Sequence, residues 1–192
     1  FSASFSKTDE SLEVSLKSPY GKTEFNLRTV SRYIASNVIC SIAALSVEGV
    51  KLDKLAKCAS EISFPAGRLE SIRAGKDICY VDYAHTPEAL KHALKEIREF
   101  YTGEIWCVFG CGGDRDKEKR PIMGKIAEDY SDHVIITDDN PRNETPQNIM
   151  DDILEGTTKA ENIKTISDRR EAIQFTLEEM GKRKGMNIML LA

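Results

Sequence analysis

A strict alternation of strand-like and helix-like segments over residues 78–191 constrains the fold of this chain more than any other feature. Short apolar runs predict strands at 78–82, 105–109, 134–137, 163–166 and 188–191. Between them, apolar residues at helical spacing predict helices at 87–101, 121–130, 146–154 and 169–182. This order predicts an α/β fold with a Rossmann-like, doubly wound and mostly parallel sheet.

The starts of three of these helices carry recognisable signals. Thr86 and Thr145 each precede a proline, and a threonine N-cap followed by a proline in the first turn is a common helix start. Asp168 is followed three residues later by Glu171, a pattern similar to a capping box. These signals predict where the polypeptide leaves the carboxyl end of a strand and enters the next helix.

The first 66 residues are organised differently. Alternating apolar residues and a Pro-Tyr-Gly turn predict a hairpin over 12–30, and helices are predicted at 35–47 and 52–60. Gly21 is followed by Lys and Thr, as in a phosphate-binding loop, but Leu16 stands where that motif needs its first glycine. A turn is therefore the better interpretation. The periodicity breaks at 64–68, which predicts one domain at 1–66 and another at 67–192.

Composition narrows the class of partner and the location. The formal net charge is -4 and the basic residues are scattered, so we expect no nucleic acid as a partner. No apolar run reaches the roughly 20 residues needed to span a membrane, and the first residues lack the layout of a secretion signal. A soluble, cytoplasmic protein is the expectation. The chain begins without Met and stops after an apolar run, so we expect a fragment.

The cysteines predict neither a zinc site nor a disulfide framework. No two of them form a C-x-x-C pair, and most lie within apolar segments. We interpret them as small buried hydrophobic residues. They are Cys40, Cys58, Cys79, Cys107 and Cys111.

Three polar loops follow predicted strands: DYAHTP at 82–87, GCGGDRD at 110–116 (the glycine loop) and DDNPR at 138–142 (the DNPR loop). Ligands bind beyond the carboxyl ends of strands in open parallel sheets, so these loops should converge at one edge. Singly, each has a plain explanation: Thr86 as a cap, His85 as a surface histidine, and the charges at 114–120 as solvated surface. Arg115 occupies the third glycine position of a dinucleotide fingerprint, which argues against a nicotinamide site.

The segments VDYAHTPEAL, VFGCGGDRDKEKRPIMG and TDDNPRNE, in this order and spacing, resemble the C-terminal domain of the Mur ligases. The resemblance covers residues 67–192 and is strongest to the diaminopimelate-adding branch. Residues 31–45 resemble the helix that ends the family's central ATPase domain. The family pattern there is Gly-Arg-Phe-Asn-x-x-Asn, in which Ile34 replaces the first asparagine and Asn37 is the second. Residues 1–66 are thus expected to be the C-terminal portion of that ATPase domain.

The resemblance implies an ATP-dependent ligase that activates a carboxylate as an acyl phosphate and joins it to the amine of meso-2,6-diaminopimelate. The acceptor would be UDP-N-acetylmuramoyl-L-alanyl-D-glutamate, a peptidoglycan precursor. The nucleotide-binding residues it implies are Asn37, Arg68, Asp82 and His85. The residues it implies for diaminopimelate are Arg115, Asp139, Asn140, Pro141 and Arg142. Charged groups of both signs suit a substrate with two carboxylates and two amines.

The same resemblance implies ATP and Mg²⁺ as cofactors, bound mostly by segments outside this chain. We expect no catalytic residue and no metal ligand within the chain, small-molecule partners only, no membrane association, and a monomer. Two alternatives remain open: another amino-acid ligase similar to folylpolyglutamate synthetase, and a non-catalytic Mur-like binding or scaffold protein. An intact or a degenerate phosphate loop upstream would distinguish a ligase from a scaffold.

Overall fold

Two units make up the chain in the computed structural model, Phe1–Pro65 and Ala66–Ala192. The structure describes residues 1–8, 10–158 and 160–192. Within these ranges no helix has both the length and the apolar character needed to cross a membrane.

The first unit combines a three-stranded antiparallel sheet with two helices. Its elements are β1 (Ser2–Lys7), β2 (Leu12–Ser18), β3 (Gly21–Leu27), α1 (Arg32–Val47) and α2 (Leu52–Ser60). The strand order is β1-β2-β3. The β2–β3 hairpin confirms the predicted one, and Gly21 takes a φ of 125° at its turn. The Gly-Lys-Thr sequence therefore belongs to a hairpin, as predicted.

The prediction that the cysteines are buried is confirmed for Cys107 and Cys111, while Cys79 is half-buried. For the other two cysteines it was wrong. Cys40 on α1 and Cys58 on α2 are exposed. The reason is helical geometry, because α1 buries the stripe that runs through Ala35, Val38 and Ile42, and Cys40 lies outside it. An apolar neighbourhood in sequence does not place a helical residue on the buried face.

Among the residues described, the second unit contains a six-stranded sheet, four α-helices and a short 3-10 helix (Ala160–Asn162). Its elements are β4 (Glu70–Ala74), β5 (Asp77–Val81), α3 (Pro87–Phe100), β6 (Glu104–Phe109), α4 (Lys119–Tyr130), β7 (His133–Ile136), α5 (Pro146–Leu154), β8 (Ile163–Thr165), α6 (Arg169–Gly181) and β9 (Asn187–Leu191).

The strand order in this sheet is β4-β5-β9-β6-β7-β8, so the last strand inserts between β5 and β6. All neighbouring pairs are parallel except β4 with β5. The α/β fold with a mostly parallel sheet is thereby confirmed. β4 was not predicted, because all five of its residues are exposed and it lacks the apolar alternation that marks a half-buried strand.

Helices cover both faces of the sheet. Trp106, Val108 and Met189 pack with Ala172 and Met180 of α6 in one core cluster. Alternate residues of β6 point to the opposite face, and they are buried as well. α3 contacts β9 and α4 contacts β7. This layering leaves the carboxyl ends of β5, β6 and β7 as the place where polar loops emerge.

The helix starts follow the sequence signals with two exceptions. Thr86 and Asp168 accept hydrogen bonds from the backbone N–H groups of Ala89 and Glu171, as predicted. Thr145 makes no side-chain capping bond, because the N–H of Asn148 donates to its backbone carbonyl instead. α4 begins at Lys119 rather than at residue 121. A proline is tolerated there because first-turn N–H groups have no partner within the helix.

Candidate functional site

The glycine loop and the DNPR loop lie against each other at the carboxyl edge of the sheet. The N–H of Gly113 donates to the carbonyl of Asn140 at 2.8 Å. A Cβ atom on Gly113 would overlap the carbonyl oxygen of Pro141, so no larger residue fits without moving one backbone. The close approach of the two loops is therefore the reason for a glycine at this position.

The two arginines of these loops flank Gly112. Nη1 of Arg142 donates to the carbonyl of Gly113 at 2.7 Å and approaches the carbonyl of Asn140 at 3.5 Å. Arg142 has a φ of 50°, a conformation that a non-glycine residue adopts only at some cost. A Cβ on Gly112 would lie 2.8 Å from Nη1 of Arg142 and 3.9 Å from Cγ of Arg115. Both arginines are exposed, so the loops present two guanidinium groups to solvent.

The remaining residues predicted to bind the amino acid lie on the same surface. Asp139 and Asn140 are exposed, and Pro141 is half-buried. The carbonyl of Pro141 accepts the N–H of Glu144 at 2.9 Å, which closes the turn after the DNPR loop. The structure thus brings together all five predicted residues at one edge.

A buried ion-pair network ties the two loops to the helices. Arg120 of α4 has 0% of its side chain exposed and donates to both carboxylate oxygens of Glu144, at 2.8 and 2.9 Å. It also donates to Asp152 of α5 at 2.7 Å and approaches the carbonyl of Gly112 at 3.4 Å. Glu144 in turn accepts the N–H of Asp114 at 2.6 Å and lies 3.1 Å from Nζ of Lys117.

These contacts set the charge states of the pair. The hydrogen bonds from Arg120, with those from the Asp114 N–H and Lys117, hold the pKa of Glu144 well below its usual range. The hydrogen bond to Glu144 raises the pKa of Arg120, and the one to Asp152 adds to this effect. Both groups are therefore charged at any pH at which the protein works.

The sequence interpretation missed Arg120 and Glu144. Residues 114–118 are exposed, as a solvated run should be, but Arg120 is not. One signal was available in the sequence. Arg120 precedes Met123, Gly124 and Ala127 at helical spacing, on the stripe of α4 that is buried.

Replacing Glu144 with Gln should lower the stability of the full-length protein at neutral pH and matter little in acid. A carboxylate whose pKa is lower in the folded state contributes stability above its unfolded pKa of about 4.3, and this is lost as pH falls towards the folded pKa. The urea midpoints of wild type and variant should differ by the same amount at pH 7 and 5, and the difference should shrink progressively as the pH falls below about 4. A difference of constant size from pH 7 to 3 would contradict this assignment.

Cys111 of the glycine loop is a core residue and no nucleophile. Its thiol is buried and lies 3.8 Å from Sδ of Met123. Burial raises the pKa of Cys111 to about 11, so the thiol is protonated at neutral pH. The predicted role of this cysteine as a small buried hydrophobe is confirmed.

Three of the residues predicted to bind nucleotide, Arg68, Asp82 and His85, lie together at the carboxyl end of β5. The carboxylate of Asp82 accepts the N–H of Leu69 at 2.8 Å. The guanidinium of Arg68 lies 5.1 Å from the ring centre of Tyr83. The ring centres of Tyr83 and His85 are 5.0 Å apart. Tyr83 is 65% exposed, so these side chains form an open aromatic surface.

Asp82 also has a structural task. Leu69, whose N–H it accepts, has a φ of 45°, and this hydrogen bond holds the strained turn before β4. Burial raises the pKa of Asp82, while the N–H groups of Leu69 and Ala84 and the charge of Arg68 oppose that rise. The backbone of His85 is linked to the start of α4, because its carbonyl accepts Nζ of Lys119 at 2.6 Å.

Asn37, the fourth residue predicted to bind nucleotide, belongs to the first unit. It is exposed on α1, four residues before Ser41, whose hydroxyl donates to its carbonyl at 3.0 Å. Ile34, at the position of the other asparagine in the family pattern, is half-buried, and its N–H is capped by Ser31.

A half-buried arginine, Arg169, lies beside the DNPR loop. Arg169 at the start of α6 donates to the carbonyl of Ala192 at 2.9 Å. Burial lowers the pKa of Arg169, an effect that the charges of Asp139 and Asp138 oppose. Asp138 is held by its backbone, since its N–H donates to the carbonyl of Ser167 at 3.1 Å. The sequence interpretation did not include Arg169 in the site.

Among the residues described, neither a metal-binding cluster nor a separate cavity adds to this site. Across the described parts of the chain, no three His, Cys, Asp or Glu side chains group closely enough to hold a metal ion. A cavity at the amino edge of the sheet is lined by His133, Glu104 and Arg183, among others. These three groups are engaged with each other, since Glu104 lies 3.1 Å from Nε2 of His133 and 3.8 Å from Nε of Arg183.

The sheet and the polar loops at its carboxyl edge lie in a part of the chain that matches a known family of ligases. Residues 67–191 match the family described as Mur ligase, glutamate ligase domain. The chain belongs to the Mur ligase family. It is 41% identical over 172 residues to UDP-N-acetylmuramoyl-L-alanyl-D-glutamate--2,6-diaminopimelate ligase of Prochlorococcus marinus, an alignment that covers 88% of this chain and 34% of that protein.

Solved structures agree with this assignment. A structure of UDP-N-acetylmuramoyl-L-alanyl-D-glutamate--2,6-diaminopimelate ligase is 33% identical with a TM-score of 0.66, covering 98% of this chain and 38% of that one. A Mycobacterium tuberculosis folylpolyglutamate synthase is 17% identical with a TM-score of 0.78, covering 99% of this chain and 44% of that one, and shares the fold alone. The chain spans about a third of the length of the diaminopimelate ligases that it matches.

Proposed function

We propose that this chain is the C-terminal part of an ATP-dependent ligase that adds meso-2,6-diaminopimelate to UDP-N-acetylmuramoyl-L-alanyl-D-glutamate. The observation that carries the proposal is the pair of exposed guanidinium groups, Arg115 and Arg142, on either side of Gly112. The proposal is also supported by the 41% identity to a UDP-N-acetylmuramoyl-L-alanyl-D-glutamate--2,6-diaminopimelate ligase. The reaction belongs to the synthesis of peptidoglycan precursors, and we place it in the cytoplasm.

The chemistry is amide formation through an activated carboxylate. The terminal carboxylate of the acceptor is converted to an acyl phosphate at the expense of ATP. An amine of diaminopimelate then attacks the acyl carbon, and phosphate leaves. In this scheme Arg115 and Arg142 bind carboxylates of diaminopimelate through paired N–H groups. Asp139 pairs with an ammonium group, and Asn140 and Pro141 shape the surface between them.

The residues that we propose to bind the nucleotide lie around the loop at 82–87 and in the first unit. Asp82 can accept hydrogen bonds from ribose hydroxyls, and the surface formed by Arg68, Tyr83 and His85 offers cationic and aromatic contacts. Asn37 contacts the base. Residues 1–66 belong to the central ATP-binding domain, and residues 67–192 form the amino-acid-binding domain. The phosphate loop and the Mg²⁺ ligands lie in other parts of the ligase.

The proposed function is tested with the full-length protein that contains this chain. It should form one product when supplied with ATP, Mg²⁺, the UDP-linked dipeptide and meso-diaminopimelate. Mass spectrometry should show the acceptor heavier by one diaminopimelate residue, and ADP release should require all three substrates. L-lysine in place of diaminopimelate should give far less product, because it lacks the second carboxylate that an arginine binds.

Two outcomes would contradict the proposal. Glutamate addition to a folate substrate, without use of the UDP-linked dipeptide, would identify a folylpolyglutamate synthetase. Binding of the dipeptide without ADP release or product would identify a non-catalytic Mur-like protein. Omission of each substrate in turn is the internal control.

A further inference from the structure

A charge pair whose arginine is fully buried, Arg120 with Glu144, lies next to the exposed arginines and is not used by the proposed function. Arg120 does not reach solvent, so it cannot bind a substrate itself. The pair nevertheless contacts the glycine loop and adjoins the DNPR loop. Glu144 follows the DNPR loop and accepts the N–H of Asp114 in the glycine loop, while Arg120 approaches the carbonyl of Gly112 in the same loop.

We propose that the Arg120–Glu144 pair positions the glycine loop and the DNPR loop. It thereby holds Arg115 and Arg142 at the separation and orientation that diaminopimelate requires. This inference rests on the proposed function and names a device that sets its substrate specificity. Arg120 and Glu144 are positioning residues, because they act through the two exposed arginines.

The network around the pair suits a positioning role. Asn143 donates its side-chain amide to the carboxylate of Asp114 at 2.7 Å, beside the contact that Glu144 makes with the Asp114 N–H. Asp152 accepts from Arg120 at 2.7 Å and so ties the pair to α5. The loops are thus linked to two helices and to each other by directional hydrogen bonds in which at least one partner is charged, and such bonds resist sliding more than apolar contacts do.

Stability alone explains this pair poorly. Removing two charges from water is costly, and well-packed apolar residues in place of a buried ion pair are often as stable or more stable. The cost is increased here because Nε of Arg120 is buried without a hydrogen-bond partner among the described residues. What a bidentate guanidinium–carboxylate pair adds over apolar packing is defined geometry. That geometry is transmitted to Arg142 two residues before Glu144 and to Arg115 directly after Asp114.

Glu144→Gln in the full-length ligase is the decisive variant. It keeps the size of the side chain and removes its charge. The KM for meso-diaminopimelate should rise on the order of tenfold, because a small displacement of binding groups is enough to weaken them. The kcat and the KM for ATP should stay within about twofold, since a loss of ground-state binding raises KM alone. As the KM for diaminopimelate rises, the preference for diaminopimelate over L-lysine should fall.

The matched control is Asp132→Asn. Asp132 also accepts an arginine and a backbone N–H, from Arg98 at 2.6 Å and Ile105 at 2.8 Å, but it lies at the amino edge of the sheet. This variant should leave the KM for diaminopimelate unchanged. Equal effects of the two variants, or a Glu144→Gln enzyme that keeps its KM and its preference, would overturn the proposal.

Two further variants keep the test decisive if Glu144→Gln does not fold. Arg120→Lys retains the charge and loses the paired geometry, and Glu144→Asp retains the charge and shortens the reach. Each should raise the KM for diaminopimelate, and unchanged KM values in both folded variants would overturn the proposal. The wild-type enzyme separates the two questions. A wild type that does not use diaminopimelate refutes the proposed function, whereas use of it with unchanged variants refutes only the positioning role.

Discussion

Arg142→Ala should remove most of the preference of the full-length ligase for meso-diaminopimelate over L-lysine. The two amino acids differ in the carboxylate on the far carbon, so discrimination needs a group that pairs with this carboxylate and gains nothing from lysine. The guanidinium of Arg142 is exposed beside Arg115, with Nη1 oriented by the carbonyl of Gly113. A hydrogen bond to a charged group contributes about 1.5–3 kcal/mol. The preference should therefore fall about tenfold to 150-fold.

The measurement is the ratio of kcat/KM for the two amino acids in wild type and variant. The loss should come from weaker use of diaminopimelate, while the value for lysine changes little. Arg98→Ala is a matched control, because Arg98 also donates to a glycine carbonyl, that of Gly103 at 3.1 Å, but at the amino edge of the sheet. An Arg142→Ala variant that keeps the wild-type preference would show that Arg142 does not bind the second carboxylate of diaminopimelate.

Gly113→Ala should also reduce diaminopimelate use, on the order of a hundredfold in kcat/KM. The new methyl group would overlap the carbonyl of Pro141, and since this atom belongs to the backbone, one of the loops has to move. Arg115 and Arg142 lie on opposite sides of this contact, so the displacement changes their separation. Forcing an extra methyl into a close contact also costs about 1–3 kcal/mol of stability.

The control is Gly185→Ala, where an added Cβ meets no atom within 4 Å. Steady-state kinetics for diaminopimelate and for ATP, with a urea denaturation curve for each variant, separate a displaced loop from general loss of structure. Near-normal kcat/KM for diaminopimelate in the Gly113 variant would mean that the contact between the loops does not set the position of the arginines.

Much of the second unit was predictable because its signals are local. The cap of α3 needs only Thr86 and the N–H of Ala89 three residues later, and the strands are marked by runs of buried apolar residues. The convergence of the three polar loops also followed from sequence, since parallel strands end at the same edge. The five residues expected to bind diaminopimelate do lie on one surface, and their role there stays a prediction.

Other features depended on contacts between distant parts of the chain. The position of β9 between β5 and β6 could not be predicted, because the pattern of a buried parallel strand does not specify its neighbours. β4 was missed for a related reason, since its exposed residues carry no apolar alternation and only the pairing with β5 defines it. The exposure of Cys40 and Cys58 depended on which side of each helix packs inward.

The alternation of strands and helices, the helix starts and the edge that carries the polar loops were determined by the sequence alone, because each depends on residues within a few positions of one another. The tertiary structure decided which charges are buried and how the loops are joined. Arg120 and Glu144 are 24 positions apart and meet only after β6, β7, α4 and α5 are packed. A buried charge is stable only beside its partner, so the roles of these two residues became visible only in the folded chain.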